Sequence, residues 1–385
     1  DDTNYNVNDS VALVNNGIIA LFDTARYCIN GQEIESLNNN VDIATTILGL
    51  VSYSDDYSKT AGTSMFWAKD TSTHPVFMKY IEGEVRNATG DNRTRALVSA
   101  NDNFNHGFAI RHSLLFGGGN HGYFDVVIPL SHIFGFCRDV RKVLYGVKHT
   151  LYLQRRGTDT EAIYHSNHEA DGKVTLSKLS LWMPTVTPSL EWRTKLEKWM
   201  TSNAMMTAYY QAHQVDQLAD QNNVTDLTWK LAVRTGSEHP RHIFVAFQNT
   251  NKRNSQEANA MIFDNLGLSD IHVLLNNERH PLSDLSLNYE QRRYTRVYKM
   301  LLEFMGRDQN IDTGLQISIE DFRTLFPVYH FDLEKQSDRL KDSISDIYVK
   351  ARFAAAPGNY RAYAVVMSDR ILKIQSDGNK MNIIY

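Results

Sequence analysis

Apolar and polar residues alternate with a period of two along much of this chain, the pattern of half-buried β-strands, and helical spacing takes over in only a few places. The clearest run is Phe326 to Tyr385. Val328 to Leu333, Ile344 to Phe353, Tyr360 to Met367, Ile371 to Gln375 and Lys380 to Tyr385 read there as successive strands. The third and fourth form a hairpin-like pair broken at Ser368-Asp369-Arg370. Pro357-Gly358-Asn359 and Ser376-Asp377-Gly378-Asn379 supply further turns, and Asp-Gly between β-branched runs is a strong short-range hairpin signal.

Upstream, Val11 to Asn30 is extended and largely apolar and closes on the turn pair Asn30-Gly31. Ile43, Ile47, Leu50 and Val51 fall at i, i+4, i+7 and i+8, which predicts a short helix covering a sheet. Residues 54 to 106 are polar, broken by Met65-Phe66-Trp67 and Val76-Phe77-Met78; compact domains reserve so long an excursion for functional or interface loops. Strands are predicted again at Gly107 to Phe116, Tyr123 to Leu130, Val143 to Arg155, Ile163-Tyr164 and Val174 to Met183.

Thr187 as N-cap and Pro188 at the first helical position then start a helix whose face carries Trp192, Leu196, Trp199 and Met200. Beyond it the strand series restarts with Ala204 to Val215, Leu227 to Arg234, His242 to Gln248, Ala260 to Phe263 and Ile271 to Leu275. Asn288-x-x-Gln291 resembles a capping box ahead of a helix bearing Tyr294, Val297, Tyr298, Leu301, Leu302 and Met305, with Gly306 as its stop. The restart predicts two β-rich domains, residues 1–186 and 204–385, joined by a linker helix at 187–203. The halves echo each other without constant spacing. Phe22-Asp23 leading to Asn30-Gly31 matches Phe263-Asp264 leading to Asn276-Asn277, and Val147 to Leu153 is placed like Ile347 to Phe353.

Composition narrows the classes. With 385 residues, 42% hydrophobic and 22% charged, the chain has the make-up of a folded protein too long for one ordinary core. Its 19 tyrosines and 17 phenylalanines favour sheets. A net charge of −4 without a basic stripe argues against direct nucleic-acid binding, and no apolar run is long enough for a membrane-spanning helix. Cys28 and Cys137 read as buried free thiols. The Asn-x-Ser/Thr patterns at Asn8, Asn87, Asn92 and Asn223 are what so much Asn, Ser and Thr produces by chance. The chain opens at Asp1 with neither an initiator Met nor a signal-like segment, which leaves room for residues ahead of it.

Candidate chemistry is weighed and set aside. His165-x-x-His168-Glu169 comes nearest to metal-ligand spacing but sits in a polar stretch, and His106, His112 and His121 lack the His-x-His pairing of a jelly-roll metalloenzyme. Gly117-Gly118-Gly119 is not followed by Lys-Ser or Lys-Thr and opens no predicted helix, so it reads as a strand connection. The acidic pairs Asp55-Asp56 and Glu320-Asp321 and the basic pairs Arg155-Arg156 and Arg292-Arg293 read as solvated or interface charge. No catalytic, cofactor-binding or metal-binding residue is nominated.

Ile128-Pro129-Leu130-Ser131-His132-Ile133-Phe134-Gly135-Phe136 and Tyr145-Gly146-Val147-Lys148-His149-Thr150-Leu151 resemble the first-half signature of double jelly-roll major capsid proteins, those of polinton-type elements and small arthropod DNA viruses above all. Phe244 to Gln248, Ile262-Phe263-Asp264, Phe326-Pro327-Val328-Tyr329-His330-Phe331-Asp332 and Met367 to Tyr385 resemble the second half. The resemblance implies an all-β chain of two tandem jelly-roll β-sandwiches with a few short covering helices. It implies a structural major capsid protein without enzymatic activity or cofactor, self-assembling as pseudo-hexagonal homotrimeric capsomers of an icosahedral shell. The expected partners are other copies of the chain and then penton or minor capsid proteins. The expected location is the virion, assembled inside the host cell, with residues 54–106 forming outer towers. Family members usually carry further strand-forming residues ahead of the position of Asp1, so the first jelly roll is expected either to lack its leading strands or to take its leading strand from elsewhere. Two other readings stand beside this one. A glycan- or partner-binding β-sandwich of capsid ancestry would use exposed loop aromatics such as Phe66 and Trp67; a jelly-roll metalloenzyme would need a ligand set.

Overall fold

Asn30 and Gly31 take φ of 51° and 82°, and Asn276 and Asn277 take 47° and 69°. Positive φ at both central residues gives a turn whose twist matches the strands it joins, and Asn and Gly are the residues that tolerate it. Each pair closes a hairpin, and these two hairpins hold corresponding places in the two halves of the molecule.

The computed structural model describes residues 4–77, 104–119, 122–167, 169–202, 205–233, 239–306, 317–334, 346–377 and 380–384. In the first half the chain runs through β1 (Val11–Leu13), α1 (Gly17–Ala20), β2 (Phe22–Ile29), β3 (Gln32–Asn38), α2 (Val41–Ser52), α3 (Asp55–Lys59), α4 (His106–Phe116), α5 (Leu130–Ile133), α6 (Gly135–Asp139), β4 (His149–Arg155) and β5 (Ile163–His165). In the second half come α7 (Leu190–Thr201), β6 (Met205–Asn222), β7 (Asp226–Lys230), β8 (His239–Asn249), β9 (Leu268–Leu275), β10 (Glu278–His280), α8 (Thr295–Phe304), α9 (Ile319–Thr324), β11 (Val328–Asp332), β12 (Ile347–Phe353), β13 (Asn359–Asp377) and β14 (Lys380–Ile384).

The second half is wired as a long hairpin rolled up on itself. β6 pairs with β13, β7 with β12, β8 with β11 and β9 with β10, all antiparallel. The rolled pairs make two sheets, β6-β13-β8-β11 and β7-β12-β9-β10, which is the jelly-roll order. Their inner faces meet in an aromatic core in which Phe247 packs edge-on against Phe353, Tyr360 and Tyr329. The first half repeats part of the plan. β4-β2-β3 matches β12-β9-β10, and β5-β1 matches β13-β8. Among the described residues no strand lies beside β4 or β5 where β7 and β6 lie in the second half. The fold is thus an all-β tandem of jelly rolls with short helices added, and the sequence echoes fall on corresponding strands.

Several elements differ from their sequence reading. Gly107 to Phe116 is helix α4: Gly107, Phe108, Arg111, His112, Leu115 and Phe116 are buried, a stripe of helical period hidden in a largely apolar run. Val11 to Asn30 is interrupted by the single turn α1, and only the latter part of Val143 to Arg155 is strand. Tyr123 to Leu130 and Val174 to Met183 have no ladder partner among the described residues and are irregular. The linker helix begins after Ser189, whose hydroxyl accepts the Trp192 N–H, so Thr187-Pro188 precedes the cap. Ser368-Asp369-Arg370 is not a turn but part of β13, paired in register with Ala212, Gln211 and Tyr210 of β6, while the bulge after Met367 lies on its β8 side. Its charges are placed: Asp369 accepts from Arg241 at 2.6 Å and Arg370 donates to the Ile34 carbonyl. Ala260 to Phe263 is buried but not a strand, because the Gln248 amide donates to the Ala260 and Ile262 carbonyls, both at 2.9 Å, in place of a ladder. Asn288 does accept the Gln291 N–H at 2.8 Å, yet this closes a turn and α8 starts only at Thr295.

Candidate assembly surface

Two features define what the molecule presents: a body whose halves are locked by buried polar contacts, and an apolar surface left open. The lock begins on α2, buried from Val41 to Val51. Asp42, a charge in an otherwise apolar face, receives Arg253 from the second half and Arg156 from the first, each at 2.8 Å. Glu161 joins both guanidiniums. Burial pushes the Glu161 carboxyl up, opposed by Arg253. A second cluster sets Arg111 2.5 Å from Asp70, with Asn105 and Asn259 donating to the same carboxylate. Lys69 reaches Asp321 on α9 at 2.7 Å.

A third lock uses the motif Ile128–Phe136. Buried Glu35 accepts the N–H groups of Gly135 (3.1 Å), Phe136 (2.9 Å) and His213 (3.0 Å), with the His213 ring 3.4 Å away. Burial alone would raise this carboxyl, but those donors outweigh it and hold it below its usual range. A Cβ on Gly135 would lie 1.7 Å from the Gln211 carbonyl oxygen, so only glycine lets α6 approach β6 this closely. Unpaired buried charges would be costly, so these contacts hold the two halves in one relative position.

The open surface lies along residues 174–192. Val174 accepts from Arg155 and donates to Asp159, but among the described residues no hydrogen bond reaches residues 175–188. The segment holds Leu176, Leu179, Leu181, Met183 and Val186 exposed, and Trp182 is 88% exposed. α7 follows with no buried residue; Leu190 is 82% exposed and Trp192 is also open. One side of it, Trp192, Leu196 and Trp199, lines an apolar cavity of about 340 Å³ with Leu144, Met206, Ile374 and Met381, and Trp199 packs on the core. The other face of that same sheet carries Met205, Tyr209, Ile371 and Ile384, all exposed.

The residues weighed from sequence are dispersed. His165 is buried against the Ser166 carbonyl and Asp171, and Glu169 accepts the Ser10 N–H. His112 stacks on Phe77 and bonds the Asp9 carbonyl, while His106 meets Phe104 edge-on. Gly118 and Gly119 turn with positive φ behind α4. Asp55 and Asp56, like Glu320 and Asp321, occupy first turns of helices, where the backbone dipole favours them. Arg155 and Arg156 are structural ion-pair partners, Arg292 lies in solvent 3.7 Å from Glu320, and the Arg293 N–H donates to the Asn288 carbonyl. Cys28 is buried and Cys137 half-buried, both as free thiols. Phe66 and Trp67 are 2% and 0% exposed, so the binding surface expected of them does not exist: Phe66 packs on Phe124, and Trp67 on Tyr53 and His132. Residues 78–103 of the expected tower stretch, with Asn87 and Asn92, lie outside the described residues, as do His121, His168, Gly378 and Asn379. Among the described residues no group of three or more His, Cys, Asp or Glu is arranged to hold a metal, and no helix is long and apolar enough to cross a membrane. Sequence reasoning missed the Asp42–Arg253–Glu161 cluster; its one visible signal was a carboxylate inside the apolar helix pattern.

The double jelly roll-like domain family matches residues 93–372. No curated protein sequence matches the chain. Among solved structures, a chain of the Sputnik virophage is 10% identical with a TM-score of 0.51, covering 100% of this chain and 78% of that one. The mavirus major capsid protein is 12% identical with a TM-score of 0.48, covering 100% and 80%. The faustovirus major capsid protein is 8% identical with a TM-score of 0.48, covering 94% and 73%. At these identities the Sputnik likeness is one of fold, and it agrees with the strand order described above. The chain belongs to the double jelly roll-like domain family.

Proposed function

We propose that the chain is a structural major capsid protein of a DNA virus or virus-like mobile element, acting by self-assembly and not by catalysis. The observation that carries this reading is the pairing of a body locked by buried ion pairs with an open apolar arm and helix, in a chain of the double jelly-roll family. Apolar surface on this scale marks a contact made in an assembly. Residues 1–186 and 204–385 are the two jelly rolls of each copy and 187–203 their link; no strand ladder among the described residues joins the two. Three copies then place six jelly rolls around a threefold axis as a pseudo-hexagonal tile, and repeated tile contacts close an icosahedral shell. The partners are further copies, then penton or minor capsid proteins, with no specific nucleic-acid contact. The location is the virion, assembled inside the host cell. Sedimentation of the purified chain tests this: a trimer supports it, and a strict monomer over a wide concentration range removes it.

A further inference from the structure

The segment Val174–Met183 has the apolar content of a strand, yet among the described residues nothing bonds residues 175–188. A bare extended backbone carrying Leu179, Leu181, Trp182 and Met183 in water is a poor resting state, because both its apolar side chains and its hydrogen-bonding groups gain from a second surface. The helix after it has the same deficit. An isolated helix of this length is marginal, and at the start of α7 Leu190 is 82% exposed while Trp192 reaches only the cavity rim.

The same chain carries a face of matching character. Tyr209, 68% exposed, lies directly opposite Ile371 on β13; Met205 shares this face, and Ile384 sits beside Lys373 at its edge. The reverse side of these strands is filled by Met206, Ile374 and Met381 under α7. To reach the bare face, a copy's own arm would have to wrap around its own sheet, whereas the arm of a second copy meets it directly.

The size fits as well. Residues 175–188 extend over at most about 45 Å, and a contact band about 10 Å wide along them covers roughly 450 Å². That is more than half of the ~800 Å² per partner of a standard interface, so the arm supplies the larger part of a contact between copies. Donor and acceptor are different surfaces of one chain, so the contact is head-to-tail, the kind that closes into a ring.

We infer that residues 175–190 are an exchanged arm, which in the assembled tile leaves its own body and packs on the Met205, Tyr209, Ile371 and Ile384 face of the next copy. The inference rests on the self-assembly reading and specifies its contact. Two variants of the full chain, L181C and I371C, each in a background with both native cysteines replaced (C28A, C137A), are co-expressed with different tags and treated with a short bis-maleimide. Leu181 and Ile371 are both exposed, so neither cysteine introduced there disturbs the core. The expected result is a cross-linked species carrying both tags, absent when L282C replaces L181C. Trimers that form without this cross-link, or that give it equally with L282C, overturn the exchanged arm and leave self-assembly standing. A chain that stays monomeric in the same samples overturns both.

Discussion

Asp42 shows how single residues set the rigidity of this molecule. A fully buried carboxylate in the first turn of α2 is compensated by guanidiniums from both halves, and Arg253 reaches it while also holding Glu161. Arg253→Met leaves two carboxylates under-compensated, and we expect a loss of about 3–5 kcal/mol, read as a lower urea midpoint. Histidines supply a pH dependence. The His132 Nε2–H donates to Asn16 Oδ1 at 3.0 Å, since the Asn16 amide is committed to Thr45 and Thr46, and Nδ1 accepts the Tyr53 hydroxyl at 2.8 Å. The His330 Nδ1–H donates to the Met300 carbonyl at 3.0 Å, and its Nε2 accepts from His242 at 3.2 Å. Neither ring has room for a second proton, and burial takes each down to about 4. The unfolded chain protonates them near 6.5, so stability is whole above that pH and falls as pH drops from about 6.5 towards 4. Chemical denaturation across this window should show the decline, with a shallower slope in His132→Gln.

At the scale of elements, close approach decides what glycine does. Gly135→Ala forces α6 off β6 and takes the Gly135 and Phe136 donors away from Glu35, at a cost of about 1–3 kcal/mol; a lower melting temperature and earlier proteolysis between the halves would register it. Elements fixed by local chemistry were legible in the sequence. The turns at Asn30-Gly31 and Asn276-Asn277 and the stop at Gly306 follow from residues that tolerate positive φ. Elements fixed by tertiary contact were not. β13 runs straight through a turn-like triplet because ladders on both sides hold it. α4 hid its helical stripe in an apolar run, and Phe66 and Trp67 lie in a polar stretch yet plug the core. Tyr123–Leu130 and Val174–Met183 have the alternation of strands without a neighbour to pair with. Alternation records which face is apolar, not whether a ladder is available.

For the whole molecule, the two halves share one plan carried to different extents. The second jelly roll has both sheets, while in the first no strand lies beside β4 or β5 among the described residues, and on β5 the His165 N–H bonds the Gln256 carbonyl instead. A bare arm is a hazard for an isolated monomer and useful for a tile, because packing on a neighbour satisfies it. Leu179→Asp with Trp182→Asp should leave the monomer's melting unchanged and raise the trimer dissociation constant at least about 100-fold, roughly 3 kcal/mol, in sedimentation. The most direct test of the central claim is electron microscopy of the purified, unmodified chain. Self-assembly by this fold predicts uniform threefold particles with a near-hexagonal outline built from six lobes. A field of single two-lobed particles at every concentration would contradict it.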